Sequence, residues 1–315
     1  LTHTSSHTFT HIETNMPYFC VLFSPAFSHF MQRLATWFVQ NYDLVGCNHF
    51  TCSNLSVMPE HDVKKIIEKV VPMPIGLDFH TLSEKIKNTK VDQLICDQRK
   101  ELKRIQITAN TTPFKEKRVM VNAAFSCQFN EESDEIRIKT RGKLCSCVNR
   151  AKLEGNQQLF SVAEPKEKVV SRNFLFGNDK FSRGNEKYRN SPLRQKRIQF
   201  WEQLAICSFS FAPPGFGMDT HRFWEILQMH SVPIVITSPL DKLYEQYPVV
   251  ILKEWSDAFK KGALEKYKID IMKRYGVNPF HNVTMHKLTA KYWTDLVHRE
   301  ANKKDELLQN NHIQV

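Results

Sequence analysis

The chain has 315 residues, enough for about two domains of ordinary size and a substantial core, which excludes a small disulfide scaffold. Hydrophobic residues make up 41% and charged residues 24%, a balance that excludes disorder over most of the length. A net charge of +11, from 44 basic and 33 acidic side chains, favours polyanions, acidic polysaccharide or phosphate-bearing ligands without choosing among them.

Residues 1–15 place His3, His7 and His11 four apart, but Thr and Ser dominate the stretch, and a disordered tail is expected. No basic and then apolar opening marks a signal peptide. Residues 16–30 are the most apolar run, yet they carry Pro17, Pro25 and His29 and fall short of the roughly 18 residues a membrane span needs. Any membrane anchor is therefore expected outside this chain. Residues 18–23 read as a buried strand, and Phe30, Leu34 and Phe38 give residues 27–38 helical spacing. Residues 70–76 read as a strand at a sheet margin, because Pro72 and Pro74 each remove a ladder donor.

Residues 84–104 form a charged amphipathic pattern, and the Thr-rich stretch 105–113 is expected to be a linker. This gives an N-terminal α/β domain over 16–110 and a second one over 111–258, opened by the apolar strand 118–125. Residues 130–168 are charged and read as loop and exposed helix. A helix ends near Ser208, residues 209–212 form a short buried strand, and 213–217 form a Pro-Pro-Gly-Phe-Gly turn. Asp219 is placed to cap the next helix, whose apolar residues are Phe223, Ile226, Leu227 and Met229. A strand at 232–237, a helix at 240–247 and a strand at 249–252 follow. Such alternation in so short a span implies a parallel sheet with right-handed crossovers. Residues 259–315 are expected to be C-terminal helices.

The eight cysteines, Cys20, Cys47, Cys52, Cys96, Cys127, Cys145, Cys147 and Cys207, contain no CxxC pair and are expected to be unpaired or in loops, although Cys145 and Cys147 have the alternatives of ligand pair or disulfide halves. Three glycosylation sequons, at Asn54, Asn110 and Asn282, are a chance number for this composition.

The candidate chemistry sits at the glycine turn. In an open parallel sheet, ligands bind beyond the carboxyl ends of the strands, where loops enter helix N-termini. Gly215 and Gly217 permit close approach of backbone to a ligand, and the helix after Asp219 offers unpaired N–H groups and a positive dipole end to a diphosphate. Arg222 lies in the first turn, with His221 and Glu225 one turn apart on the same face. The bland alternatives are a surface Arg222–Glu225 ion pair, a His221 with no ligand, and a Trp224 that packs.

The stretch Ser208-Phe-Ser-Phe-Ala-Pro-Pro-Gly-Phe-Gly-Met-Asp-Thr-His-Arg-Phe-Trp-Glu225, with Val232-Pro-Ile-Val-Ile-Thr-Ser-Pro-Leu-Asp-Lys-Leu-Tyr244 and Pro248-Val-Val-Ile-Leu-Lys-Glu-Trp255, resembles the donor-binding half of exostosin-like glycosyltransferases of family 47. The segment Val71-Pro-Met-Pro-Ile-Gly-Leu-Asp-Phe-His-Thr81 resembles the one that ends the N-terminal domain in that group, and Lys291-Tyr-Trp293 resembles its closing helix. The resemblance implies a GT-B fold, two Rossmann-like domains facing a cleft, with a short or incomplete N-terminal acceptor domain here. It implies a nucleotide-sugar donor held by Gly215, Gly217, His221, Arg222 and Glu225, with Arg222 near the diphosphate and Glu225 near the ribose or sugar hydroxyls. The acceptor would be a carbohydrate or a glycoprotein. The catalytic base belongs on the acceptor side, where Asp78 and His80 follow a strand end and Asp43 is a further candidate; Asp78 as a turn cap is the alternative. Helix dipole and cations suffice for the leaving diphosphate, and no Asp-x-Asp triplet is present, so neither a metal nor another cofactor is expected.

Two other readings stand beside this one. A non-catalytic member would keep the fold and bind a glycan or polyanion. A nucleic-acid binder would need one contiguous basic face, which a surface-potential map would decide; the basic residues spread through 100–118, 137–150 and 180–197 lack the aromatic interleaving of a single-strand binder, and no nucleic-acid partner is expected. A Golgi or secretory-membrane location follows from the resemblance, and a soluble cytoplasmic one if the chain is complete.

Overall fold

The computed structural model describes residues 36–39, 68–79, 91–117, 120–125, 135–154, 192–215, 217–281 and 285–312. The expectations for residues 1–35 lie outside them. Contacts divide the chain into two units, one of residues 1–38, 43–71 and 300–315, the other of residues 39–42 and 72–299. Strands β1 (Trp37–Val39) and β2 (Val70–Pro72) pair as a two-stranded sheet. Phe38 was expected on a helix. Its aromatic and β-branched neighbours favour an extended chain once a partner strand is present.

The second unit is a mixed α/β structure built on a four-stranded sheet in the order β3 (Val121–Asn122), β4 (Phe209–Phe211), β5 (Val232–Ile236), β6 (Val250–Leu252). All three pairings are parallel, in the register Val121 with Phe209, Phe209 with Val232, and Ile234 with Val250. The parallel pairing expected of residues 209–212 and 232–237 is thus present. Each strand lies beside its predecessor in sequence, and the order does not reverse among the described strands. The arrangement is compatible with a Rossmann-like domain.

Helices α1 (Val91–Asn110), α2 (Glu135–Leu153) and α3 (Pro192–Ile206) flank β3 and β4 in sequence. Helix α1 continues through residues expected to be linker. Gln98, Leu102, Ile105 and Ala109, spaced four, three and four, are all buried, and packing of that face against α3 outweighs the modest helix propensity of Thr108. Helix α2 likewise replaces an expected loop and exposed helix. Arg141, Leu144, Cys145, Val148 and Ala151 form one buried face, and the Trp255 indole donates to the Thr140 carbonyl at 2.9 Å. Cys145 is disulfide-bonded, contrary to the expectation of unpaired cysteines, whereas Cys147 two residues on is a free thiol.

The core gathers on β4. Phe209 and Phe211 are fully buried, each contributing about 1.5–3 kcal/mol by burial alone. Phe211 stacks on Phe259 with centroids 5.7 Å apart and meets Trp255 edge-on at 5.8 Å. After β4 come α4 (His221–Gln228), the single turn α5 (Asp241–Tyr244), α6 (Ala263–Tyr275) and α7 (Ala290–His312). No helix among the described residues is long and apolar enough to cross a membrane.

Helix α4 ends in a Schellman motif, with Ser231 N–H bonded to the Ile226 carbonyl at 3.1 Å and His230 N–H to that of Leu227 at 3.0 Å. The left-handed position usually given to glycine is occupied by His230, at φ 54°. Its imidazole stacks on Phe280 and its carbonyl accepts from Lys117 Nζ at 2.7 Å. A cation on the carbonyl end of a helix offsets the negative dipole there.

Candidate functional site

The turn after β4 brings Gly215 and Gly217 to the carboxyl edge of the sheet, where the Gly215 N–H bonds the Gly217 carbonyl at 3.0 Å. Gly215 is not in the left-handed region, and a Cβ there would meet only Thr220 Cγ2, at 3.4 Å. The local fold therefore does not itself require glycine at this position.

Arg222 sits in the first turn of α4, with its guanidinium carbon 4.8 Å from the Phe200 ring centre. Nη1 is buried and has no hydrogen-bond acceptor among the described residues. Desolvation, with Arg141 as a neighbouring like charge, lowers its pKa from 12.5 to about 10, while Glu225 opposes that fall. The side chain stays cationic at neutral pH.

His221 and Glu225 take partners within the unit. His221 Nδ1 lies 2.8 Å from the Gly76 carbonyl oxygen; a carbonyl only accepts, so Nδ1 carries the proton. Glu225 accepts from Arg197 Nη2 at 2.7 Å. Arg197 comes from α3, lies over Trp201 at 5.0 Å, and also reaches Asp78, with Nη1 at 3.7 Å from Oδ2 and Nη2 bonded to the Asp78 carbonyl. Arg197 thus bridges two carboxylates that sequence analysis assigned to different roles. Both are nearly buried, with side chains 13% and 7% exposed, and the cation lies between them.

Asp219 does not cap α4. Its buried carboxylate accepts from Ile75 N–H at 2.7 Å, from the Trp224 indole at 2.9 Å and from Tyr244 at 3.1 Å. Thr220 occupies the N-cap position. Burial raises the Asp219 pKa from 3.8 to about 6 against the pull of those three donors. Residues 75, 76 and 78 are therefore tied to Asp219, His221 and Arg197–Glu225. The same segment, with Trp224 and Trp293, lines an apolar cavity of about 380 Å³. Asp43 and His80 lie outside the described residues.

The buried Arg141 and the largely covered Arg197 escaped the sequence reading because each sits in a basic run that looked solvent-facing. Their spacing carried the signal. Arg197 is four residues before Trp201 and seven before Leu204, and Arg141 is three before Leu144 and seven before Val148; all four apolar partners are buried. No group of three or more His, Cys, Asp or Glu side chains among the described residues is placed to hold a metal ion. No protein-family model matches this chain, and no curated protein matches it.

Proposed function

We propose that the protein is a glycosyltransferase that moves a sugar from a nucleotide-diphosphate donor to a glycan or protein-linked acceptor, in a GT-B arrangement like that of the exostosin-like enzymes. The observation that carries this reading is the parallel β4–α4–β5 unit, with Gly215, Gly217 and the buried Arg222 at the carboxyl edge of β4. A turn that admits a ligand backbone-close, a helix N-terminus and a dehydrated guanidinium together suit a diphosphate. Resemblance of residues 208–255 to donor-binding domains supports the same assignment.

In this reading Arg222 binds the diphosphate. Glu225, held through one oxygen by Arg197, offers the other to a ribose or sugar hydroxyl. Asp78 is the proposed base that accepts a proton from the acceptor hydroxyl, with Arg197 beside it. Its pairing with Arg197 makes that proton transfer depend on the two separating or on the acceptor entering between them. His221 is reassigned to holding the Gly76 carbonyl. Neither metal nor other cofactor is invoked.

The test is a thermal-shift panel of nucleotide sugars and free nucleoside diphosphates on the full chain. A donor at 100 times its Kd stabilises the bound protein by about 2.7 kcal/mol. Stabilisation that saturates for one nucleotide and is stronger with its sugar supports the reading; no response to any nucleotide ends it. A donor bound without transfer to any acceptor would favour the non-catalytic glycan binder instead.

A further inference from the structure

One buried carboxylate joins the glycine turn to segments far along the chain. Asp219 is 2% exposed. Its Oδ2 accepts from the Ile75 N–H at 2.7 Å and its Oδ1 from the Tyr244 hydroxyl at 3.1 Å, with the Trp224 indole shared between the two oxygens at 3.0 and 2.9 Å. A backbone amide and an indole N–H only donate, so of these three groups Tyr244 alone is able to accept as well.

Tyr244 also reaches back to the turn. Its hydroxyl lies 3.4 Å from the Met218 carbonyl, next to Gly217. Both of its contacts are longer than the usual O–H···O distance of about 2.8 Å, as one proton divided between two acceptors requires. The ring is fixed, because it is 3% exposed and stacks on Phe223 with centroids 4.1 Å apart. Burial and the neighbouring Asp219 push the phenol well above its usual 10, so the hydroxyl keeps its proton. Only the direction of that proton is free to change.

Two proton arrangements follow. With Asp219 ionised, both its oxygens are acceptors only, and the Tyr244 hydrogen is drawn towards the charged Oδ1 and away from Met218. With a proton from solvent on Oδ1, the new O–H donates to Tyr244 Oη, which turns its own hydrogen fully to the Met218 carbonyl. Oδ2 still accepts from Ile75. Asp219, Tyr244 and Met218 then form a chain running in one sense, in which each bond polarises the next.

We propose that Asp219 and Tyr244 form a protonation-controlled latch on the glycine turn, which ties Met218 down when the carboxyl is neutral and loosens it when the carboxyl ionises. The latch goes beyond the glycosyltransferase reading and holds whatever the turn binds. Burial raises the Asp219 pKa to about 6, so both forms are populated in an accessible range. The titratable groups that face it are His221 on α4, whose Nδ1 is held by the Gly76 carbonyl, and Tyr244 and Tyr247 from residues 241–247. On the segment that carries Ile75, Asp78 is turned to Arg197.

Hydrogen exchange on the isotope-labelled full chain, followed by two-dimensional NMR and expressed as protection factors to remove the intrinsic pH dependence, tests the latch. The Gly215 amide, bonded to the Gly217 carbonyl, reports the turn, and the Ile75 amide reports its bond to Asp219. Gly215 protection should rise about threefold to tenfold from about pH 7.5 to about pH 5, the scale of one net hydrogen bond, with its midpoint at about 6. Ile75 should stay protected throughout.

Asp219→Asn has the shape of the neutral acid: its amide oxygen accepts from Ile75 while its NH2 donates to Tyr244. Gly215 should then keep the acid-state protection at every pH. Tyr244→Phe breaks the chain, and Gly215 should stay at or below its neutral-pH protection at every pH. A merely structural Asp219 predicts instead that Asp219→Asn lowers protection at both amides. Asp219→Asn retains His221, so a pH response that survives in it belongs to another group and overturns the proposal. A parent whose Gly215 protection does not change with pH, or a Tyr244→Phe variant that responds as the parent does, overturns it equally. If Asp219→Asn does not fold, Tyr244→Phe, which leaves the carboxyl in place, carries the test.

Discussion

His230→Asn should change how stability depends on pH, by an amount that follows from the structure. His230 is packed on Phe280 and lies near Lys117, whose ammonium donates to the His230 carbonyl. Burial first, and that cation second, lower the imidazole pKa from 6.5 to about 4. Between pH 4 and 6.5 the unfolded chain holds this proton and the native protein does not, so native stability rises with pH across that window. At 1.36 kcal/mol per pKa unit the rise is about 3 kcal/mol. Asp219 works in the opposite sense. Its pKa is raised from 3.8 to about 6, so the native protein holds the proton longer, and stability falls by about 3 kcal/mol as pH rises through that interval. In the parent the two slopes nearly cancel. Asn tolerates the left-handed conformation at φ 54° and keeps the Schellman motif, so His230→Asn removes one slope without removing the turn. Urea unfolding followed by tryptophan fluorescence suits the test, because Trp201, Trp224, Trp255 and Trp293 all lie in the second unit. The parent-minus-variant stability difference should grow by about 3 kcal/mol from pH 4 to 6.5. A difference constant to within about 1 kcal/mol would refute the reasoning.

Other perturbations test the site directly. Arg222→Ala should weaken nucleoside-diphosphate binding by about 1.5–3 kcal/mol, the scale of a charge-assisted hydrogen bond, with the fold retained; calorimetry with UDP and GDP measures it, and unaltered affinity would remove Arg222 from the site. Gly215→Ala should leave stability unchanged or raise it by about 0.4–1 kcal/mol, since the backbone accepts a side chain there. The same substitution should reduce diphosphate affinity, and a variant that binds as the parent does would show that no ligand approaches that backbone. Arg197→Leu leaves Asp78 and Glu225 nearly buried without their bridging cation, at a cost of about 3–5 kcal/mol in chemical denaturation. Adding Glu225→Gln should recover part of the loss, and strict additivity of the two changes would argue against the bridge.

Much of the second unit was legible in the sequence, and the rest shows where sequence patterns stop. Short apolar runs at 209–212, 232–237 and 249–252, separated by helical spacing and turn residues, determined a parallel β4–β5–β6 sheet, because strands buried on both faces need no polar alternation. The position of Gly215, Gly217 and Arg222 at a strand end followed from the same pattern. Helix α1 was cut short and α2 read as loop and exposed helix, because Gln, Ala, Arg and Cys on their inner faces carry little hydrophobic signal until a neighbour covers them. Only the tertiary structure decided the partners of the charged groups. Arg197 meets Asp78 119 residues away and Glu225 28 residues away; Asp219 turns from its own helix to Ile75, 144 residues away; and Arg141 enters the field of Arg222. Sequence determines which side chains can be charged, and its local periodicity determines which face they share. Burial, which sets whether such a charge is costly, paired or left waiting for a ligand, depends on packing between elements distant in the chain.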